Sequence, residues 1–274
     1  MLSTKVLPEA VLDRVKRSKS LYALGRRARF SAGAALGARH VSGIGRVHYN
    51  DFMLRDTRPE TIASYQDNAT EFVGLLGDAV ASVGKSWMDI RAVLDIGCGY
   101  GRIVRALLDR VPPSRIYVCD VIEGGVEFTS KEFGVNRVPL LEHAYFSLHD
   151  KFDLAYLLSV YTHTPDGFMA NHLRLVNKCL KPGSVCVFTT QGPISANTCE
   201  RYQQAWLDKD AVLSTLAQLG FCFMQYPHYR ETYGMTWCSR EYVEKAIADA
   251  GLWLVDYKPA GHGGHQDVFV ARKG

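Results

Sequence analysis

Residues 93–102 read V-L-D-I-G-C-G-Y-G-R, so four strand-forming residues, Val93 to Ile96, run straight into glycines at 97, 99 and 101. A glycine-rich turn between a strand and a helix lets the backbone approach a ligand closely, and the helix that follows offers unpaired N–H groups. Nucleotide-type ligands use such turns. The dinucleotide pattern is G-x-G-x-x-G, whereas here the third glycine comes one residue early. A pyrophosphate needs the longer spacing to meet the helix N-terminus. Asp95, two residues before the first glycine, would repel a phosphate and suits a ligand with a positive amine. Asp120 ends the next apolar run, I-Y-V-C-D, at the place where an acid commonly binds ribose hydroxyls.

A ligand with a ribose, a cationic end and no phosphate satisfies both acids, and S-adenosylmethionine is such a ligand. V-L-D-I-G-C-G-Y-G-R, then V-C-D, then F-D-L-A-Y-L-L-S-V-Y-T-H, then L-K-P-G-S-V-C-V-F, in this order and spacing, resemble the successive motifs of class I S-adenosylmethionine-dependent methyltransferases. The resemblance covers roughly 90–190 and extends to 239–274, which is similar to the family's closing helix and hairpin. It implies an α/β, Rossmann-like fold: a seven-stranded sheet, mostly parallel with an antiparallel last strand, and helices on both faces. It also implies S-adenosylmethionine as cofactor and S-adenosylhomocysteine as product. Carried onto this chain, Asp95, Gly97, Gly99 and Gly101, with Cys98 among them, hold the methionine end. Asp120 holds the ribose, Val121 flanks the adenine, and Glu142 or His143 of L-L-E-H-A-Y-F stands where relatives place an acid for the adenine amine. Ser159, after the fourth strand, and Tyr65, on an early helix, are expected beside the cofactor.

The acceptor site is expected beyond the carboxyl ends of the strands. Three segments reach it. In S-V-Y-T-H-T, residues 159–164, His163 is the candidate general base; local hydrogen bonding or helix capping is its alternative role. The stretch lacks the N/D-P-P-Y/F of enzymes that methylate nucleobase amines. The loop G-H-G-G-H-Q-D, residues 261–267, brings His262 and His265 to a tight turn, with no fixed spacing that calls for a metal. Residues 191–238 hold eight aromatics in 48 positions against 11% for the chain, which suggests a lid whose Trp206 and Tyr233 stack on a ring or sugar.

The elements that must position these groups follow from periodicity. Residues 1–45 are expected to be a basic leader, with a loosely amphipathic stretch at 8–30, and a Gly- and Ala-rich linker at 31–45. From 46 to 274 a single domain is expected: a helical cap (46–85), the cofactor-binding core (90–190), the aromatic insert (191–238), and a closing helix and hairpin (239–274). Ile62, Tyr65, Ala69, Phe72, Val73 and Leu76 recur at three and four, which predicts a helix, with Thr57 and Glu60 as its capping box. Strands are predicted at 92–96, 116–120, 139–144, 152–160, 185–190, 252–257 and 266–272, and helices at 102–111, 123–133, 166–180 and 239–250. Apolar runs alternating with helices predict a parallel sheet covered on both faces.

Composition bounds the rest. The 274 residues suffice for one large domain without disulfide or metal staples. The seven cysteines are odd in number and lack C-x-x-C spacing, which points to a reducing interior and the cytoplasm. Nine Lys or Arg and two acids fall in 1–40, leaving 23 basic and 26 acidic residues in the body. A slightly acidic body disfavours nucleic acid as a partner, and the cationic leader suits contact with the inner membrane face. The first expectation is therefore methyl transfer to a small-molecule or glycan hydroxyl. An RNA or protein methyltransferase, or a non-catalytic cofactor-binding protein, is the alternative. Nothing in the sequence sets an oligomeric state.

Overall fold

The computed structural model describes residues 19–140, 148–202, 206–226 and 232–274, with side chains from residue 24 onward except at 201. Seven strands form the central sheet: β3 (Val93–Ile96), β4 (Ile116–Cys119), β5 (Asn136–Arg137), β6 (Phe152–Leu157), β7 (Leu180–Gln191), β10 (Leu252–His262) and β11 (Gln266–Lys273). Their order is β10-β11-β7-β6-β3-β4-β5. All run parallel except β11, which is antiparallel to both of its neighbours. The fold is thus the mostly parallel α/β sheet that the sequence implies.

Every residue of β3 and β6 is buried, as the unbroken apolar runs require of strands covered on both faces. On one face α2 (Pro59–Ser82), α3 (Arg102–Leu107) and α4 (Glu123–Phe133) pack Phe72, Leu76, Val104, Leu107 and Val126 onto Val93, Val118 and Leu154. On the other, α5 (Phe168–Cys179) and α8 (Arg240–Asp249) pack Leu173, Val176, Val243 and Ile247 onto Leu94, Ala155, Cys186 and Phe269. The strand order reverses between β3 and β6, so their carboxyl ends open a crevice where ligands of such sheets sit.

Several local expectations are corrected. Residues 31–45 are not a linker: α1 (Lys19–Leu36) runs into a hairpin of β1 (Ala38–Val41) and β2 (Gly45–His48). At Gly33 the small residue serves close packing, since a side chain there would stand 1.9 Å from Asn50 Oδ1. Val41, Ile44, Val47, Leu54 and Tyr65 give the hairpin a core of its own. Arg105 fastens it to the body through the carbonyls of Ile44 and Arg46. Thr57 and Glu60 form no capping box; α2 begins after Arg58, which has no side-chain cap, and Pro59 occupies its first turn. Residues 136–137 pair beside β4, while most of the strand expected at 139–144 lies outside the described residues. β7 begins at Leu180, so K-P-G lies inside the strand instead of before it. α3 stops at Leu107, four residues short of the expected helix.

Between β7 and α8 the chain leaves the sheet. Within 193–238 the described residues include α6 (Pro193–Asn197), α7 (Lys209–Leu219) and the antiparallel pair β8 (Phe221–Gln225) and β9 (Gly234–Cys238). Ala196, Val212, Leu216, Cys222, Met235 and Trp237 are among the residues of a separate core here. Asp208 caps α7 by accepting from the Ala211 N–H at 3.1 Å, and Gly220 closes it at φ 68°.

Candidate functional site

At the carboxyl end of β3 the chain turns through three glycines with φ of 87°, 53° and 82°, a region that disfavours every other residue. Gly97 could not carry a side chain for a second reason, since a Cβ would lie 2.5 Å from Val160 Cγ2. Gly99 is different: no heavy atom lies within 4 Å of where its Cβ would stand, so the loop borders open space there. The loop is held by its own N–H groups. Gly97 and Cys98 donate to the Cys119 carbonyl at 2.8 and 3.3 Å. Gly99 donates to Asp120 Oδ2 at 2.7 Å, and Ile122 to Asp120 Oδ1 at 2.8 Å. Asp120 thus ties the glycine loop to the start of α4. Burial raises its pKa, and those donors oppose the rise.

Asp95 is 2% exposed and accepts a hydrogen bond from the Tyr156 hydroxyl at 2.8 Å. Burial pushes its pKa up to about 8 despite that bond. A carboxyl so placed gains most from a nearby cation. Tyr156 was not singled out in the sequence, yet the register signals it: it lies directly opposite Asp95 in the β3–β6 pair. The Cys98 side chain is buried in the layer between sheet and α2. Val121, by contrast, is 83% exposed. Glu142 and His143 lie outside the described residues.

Beyond β6, Ser159 holds φ 59°, a strained value for a serine. It is locked by its N–H on Thr189 Oγ1 at 2.8 Å and by Gln266, whose amide reaches its hydroxyl at 2.8 Å. His163 follows, half-buried, with Nδ1 2.8 Å from the Gly234 carbonyl of β9. A carbonyl only accepts, so Nδ1 carries the proton and Nε2 keeps its lone pair. Burial lowers the His163 pKa, so the ring is neutral at pH 7. Tyr226, Tyr233 and Trp206 gather around it: ring centroids are 5.9 Å from His163 to Tyr226, 5.3 Å from His163 to Tyr233, and 5.5 Å from Trp206 to Tyr226. Tyr233 is 40% exposed, so this cluster presents aromatic surface outward. The insert is therefore joined to the end of β6 through the candidate base itself.

The two histidines of the β10–β11 turn part company. His265 turns onto the Gly263 carbonyl at 2.7 Å. His262 is buried, its Nε2 3.1 Å from Asn68 Nδ2 of α2, and burial first, then the charge of Arg102, lower its pKa to about 4. Tyr65 is 3% exposed and donates to Asp51 Oδ2 at 2.7 Å, within the hairpin core. Among the described residues no group of three His, Cys, Asp or Glu is placed to hold a metal ion. A cavity of about 640 Å³ lies between α1, the hairpin and α4, lined by His48, Tyr100, Val121 and Phe128 among others. Local sequence pattern does not signal it, because α1 and the hairpin that roof it read as leader and linker.

Residues 93–183 match the family described as a methyltransferase domain. A curated relative, the malonyl-[acyl-carrier protein] O-methyltransferase of Acetivibrio thermocellus, is 31% identical over 110 residues, which are 39% of this chain and 37% of that protein. The chain therefore spans little more than a third of that relative's length. Among solved structures, DesVI of Streptomyces venezuelae superposes with a TM-score of 0.50 at 14% identity, covering 77% of this chain and 92% of its own. The mitomycin 7-O-methyltransferase MmcR does so with a TM-score of 0.50 at 15% identity, covering 82% and 59%. At these identities the likeness establishes the fold.

Proposed function

Because the sheet core of this chain belongs to the class I S-adenosylmethionine-dependent methyltransferase family, we propose that it transfers a methyl group to a hydroxyl oxygen of a small-molecule or saccharide acceptor. The residues present fit the cofactor. The open space at Gly99, the buried carboxyl of Asp95 in want of a cation, and the bare face of Val121 suit a nucleoside that carries a positive charge and no phosphate. Gly97, Gly99 and Gly101 would cradle the methionine end beside Asp95. Asp120 would take the ribose hydroxyls, and Val121 would lie against the adenine.

S-Adenosylmethionine supplies a methyl group already activated by a sulfonium for in-line displacement. The chain's own part is then to align the acceptor, exclude water and take a proton. The observation that carries the hydroxyl reading is His163: its Nδ1 proton is committed to Gly234, so a neutral Nε2 lone pair is available to accept the proton of an acceptor hydroxyl. The rings of Tyr226, Tyr233 and Trp206 give a planar or sugar ring a surface to stack on. The oxygen specificity named for the curated relative agrees with this reading.

No helix among the described residues is long and apolar enough to cross a membrane. The exposed Leu24 and Leu36 beside Arg26, Arg27 and Arg29 on α1 would suit contact with an anionic bilayer surface. Co-sedimentation with anionic but not zwitterionic vesicles checks that contact.

The test of the reaction uses methyl-labelled S-adenosylmethionine and an extract of the source cells, separated into organic, small aqueous and macromolecular fractions. Label in either of the first two supports the proposal. Label confined to macromolecules overturns the acceptor class.

A further inference from the structure

A side-chain amide is kept in a protein interior only where its hydrogen bonds are met, because an unmet donor or acceptor forfeits what water would have given it. Gln191, the last residue of β7, is 3% exposed and meets this condition at both ends of its amide. Its Oε1 accepts from the Ser195 hydroxyl at 3.1 Å and from the Tyr202 hydroxyl at 2.5 Å. Its Nε2 donates to the Thr236 carbonyl at 3.1 Å and to the Thr162 carbonyl at 3.5 Å. The amide sits only one way round: a carbonyl cannot donate, and turning the amide over would set Oε1 against two carbonyl oxygens.

Those two carbonyls belong to the two segments that meet at His163. Thr162 precedes His163 in the single 3-10 turn Tyr161–His163, and Thr236 lies two residues beyond Gly234 on β9. Gln191 thus bridges the segment that carries the His163 ring to the strand that carries its hydrogen-bond acceptor. A second tie lies just past the ring, where the Thr236 hydroxyl donates to the Thr164 carbonyl at 2.6 Å. The bridge matters because β9 pairs only with β8 among the described strands, and a two-stranded pair is marginal by itself. The other neighbour of Nδ1, the Tyr226 hydroxyl at 3.2 Å, directly follows β8, so both partners of that nitrogen move with the insert.

We propose that Gln191 is a positioning residue for the proton transfer: by clamping Thr162 to Thr236 it keeps the Nδ1 proton of His163 on Gly234 and leaves the Nε2 lone pair for the acceptor. This rests on the assignment of His163 as the base made above. Without the clamp, β9 can draw back, and the imidazole loses the carbonyl that fixes its tautomer and its orientation.

The test reads the tautomer itself and needs no acceptor. The full chain, with isotope-labelled histidine and saturating S-adenosylhomocysteine, is studied by ring-nitrogen NMR at pH 8, where the His163 ring is neutral. His163→Ala identifies the His163 signals. The unsubstituted protein should show His163 protonated at Nδ1 alone. In Gln191→Met, which keeps the length of the side chain without its amide, a second tautomer protonated at Nε2 should appear, while calorimetry shows S-adenosylhomocysteine affinity unchanged. Transfer of label from methyl-labelled S-adenosylmethionine into an extract of the source cells should fall about 10- to 100-fold in the same variant. Tyr202→Phe removes one of the two hydroxyls that orient the amide. It should give a smaller share of the second tautomer, and it carries the test if the methionine variant does not fold. A His163 still protonated at Nδ1 alone in the folded variants overturns the role of Gln191. A mixed tautomer in Gln191→Met, with label transfer undiminished there and in His163→Ala, leaves the clamp standing and overturns the reading of His163 as the base.

Discussion

The glycine loop and the aromatic insert meet the same crevice by opposite means. Around Gly97–Gly101 the chemistry rests on the path of the backbone: three positive φ values, N–H groups aimed at Cys119 and Asp120, and strands buried on both faces beneath them. In the insert the backbone is an ordinary two-stranded pair, of a kind that is marginal in isolation, and side chains carry everything. Recognition by backbone fails when a single carbon is pressed against the loop's own path. Recognition by side chains fails locally, and leaves the remainder of the molecule standing. Cofactor binding and acceptor chemistry should therefore separate cleanly under substitution.

The largest effect should come from Gly125→Ala. Inside a helix this change ordinarily stabilises by about 1 kcal/mol. Here the new Cβ would stand 2.4 Å from the Gly99 carbonyl oxygen, backbone that cannot swing aside. The loop must shift, and calorimetry should show S-adenosylhomocysteine binding abolished. Undiminished affinity would mean that the loop tolerates displacement and that the backbone path is not what recognises the ligand.

Trp237→Ala is the counterpart in the insert. Trp237 is fully buried at the centre of the small core, and such truncations cost about 3–5 kcal/mol. Methyl transfer should be lost while S-adenosylhomocysteine still binds. Loss of both together would show that the insert and the sheet unfold as one unit.

The contrast also governs how much the sequence reveals. The buried strands of the core are legible as apolar runs, and the loop as glycines whose spacing is fixed by a local turn. Asp120 is legible because it ends a strand. What was missed depends on contacts distant in the chain. The β1–β2 hairpin is four residues a side and is held by Arg105, about 60 positions away, so its Gly- and Ala-rich residues read as linker. The capping box at Thr57 failed because local pattern did not decide where α2 begins.

His163→Ala narrows the comparison to one side chain. Turnover should fall about 10²- to 10⁴-fold, the usual contribution of a general base, with cofactor affinity unchanged. The unsubstituted enzyme should also lose activity as pH falls. A base works when deprotonated, and burial puts the His163 pKa below 6.5, so the acid limb of kcat should have its midpoint below that value and vanish in the variant. An acid limb that persists in His163→Ala assigns the proton transfer to another group.

Asp95→Asn tests the loop's one buried charge through pH. The folded pKa of Asp95 lies near 8, above its unfolded value of 3.8. Folding therefore favours the protonated acid, and its stabilising contribution is complete below pH 3.8 and lost as pH rises towards 8 and beyond. The asparagine variant escapes that loss. Its melting temperature should match the parent at pH 4 and exceed it at pH 8.5 without ligand, while cofactor affinity falls. Identical pH profiles would mean that Asp95 is ionised and satisfied in the ligand-free protein.

The smallest effect is the most discriminating, because it concerns the neighbour of Gly125. Gly124 shares the same helix, and both glycines weaken α4 in the same way as free-chain entropy. Their surroundings differ. Gly124 is exposed, its φ is not in the left-handed region, and the nearest atom to an added Cβ is the Tyr100 hydroxyl at 3.8 Å, ordinary contact distance. Gly124→Ala should therefore stabilise the protein by about 0.4–1 kcal/mol and leave S-adenosylhomocysteine affinity intact. Adjacent glycines, given the same methyl group, should therefore part: Gly125→Ala loses the ligand, whereas Gly124→Ala keeps it and gains stability. If Gly124→Ala also weakens the ligand, the sensitivity belongs to the whole first turn of α4 rather than to the contact of Gly125 with the loop, and the line drawn between backbone and side-chain recognition would have to move outward to include it.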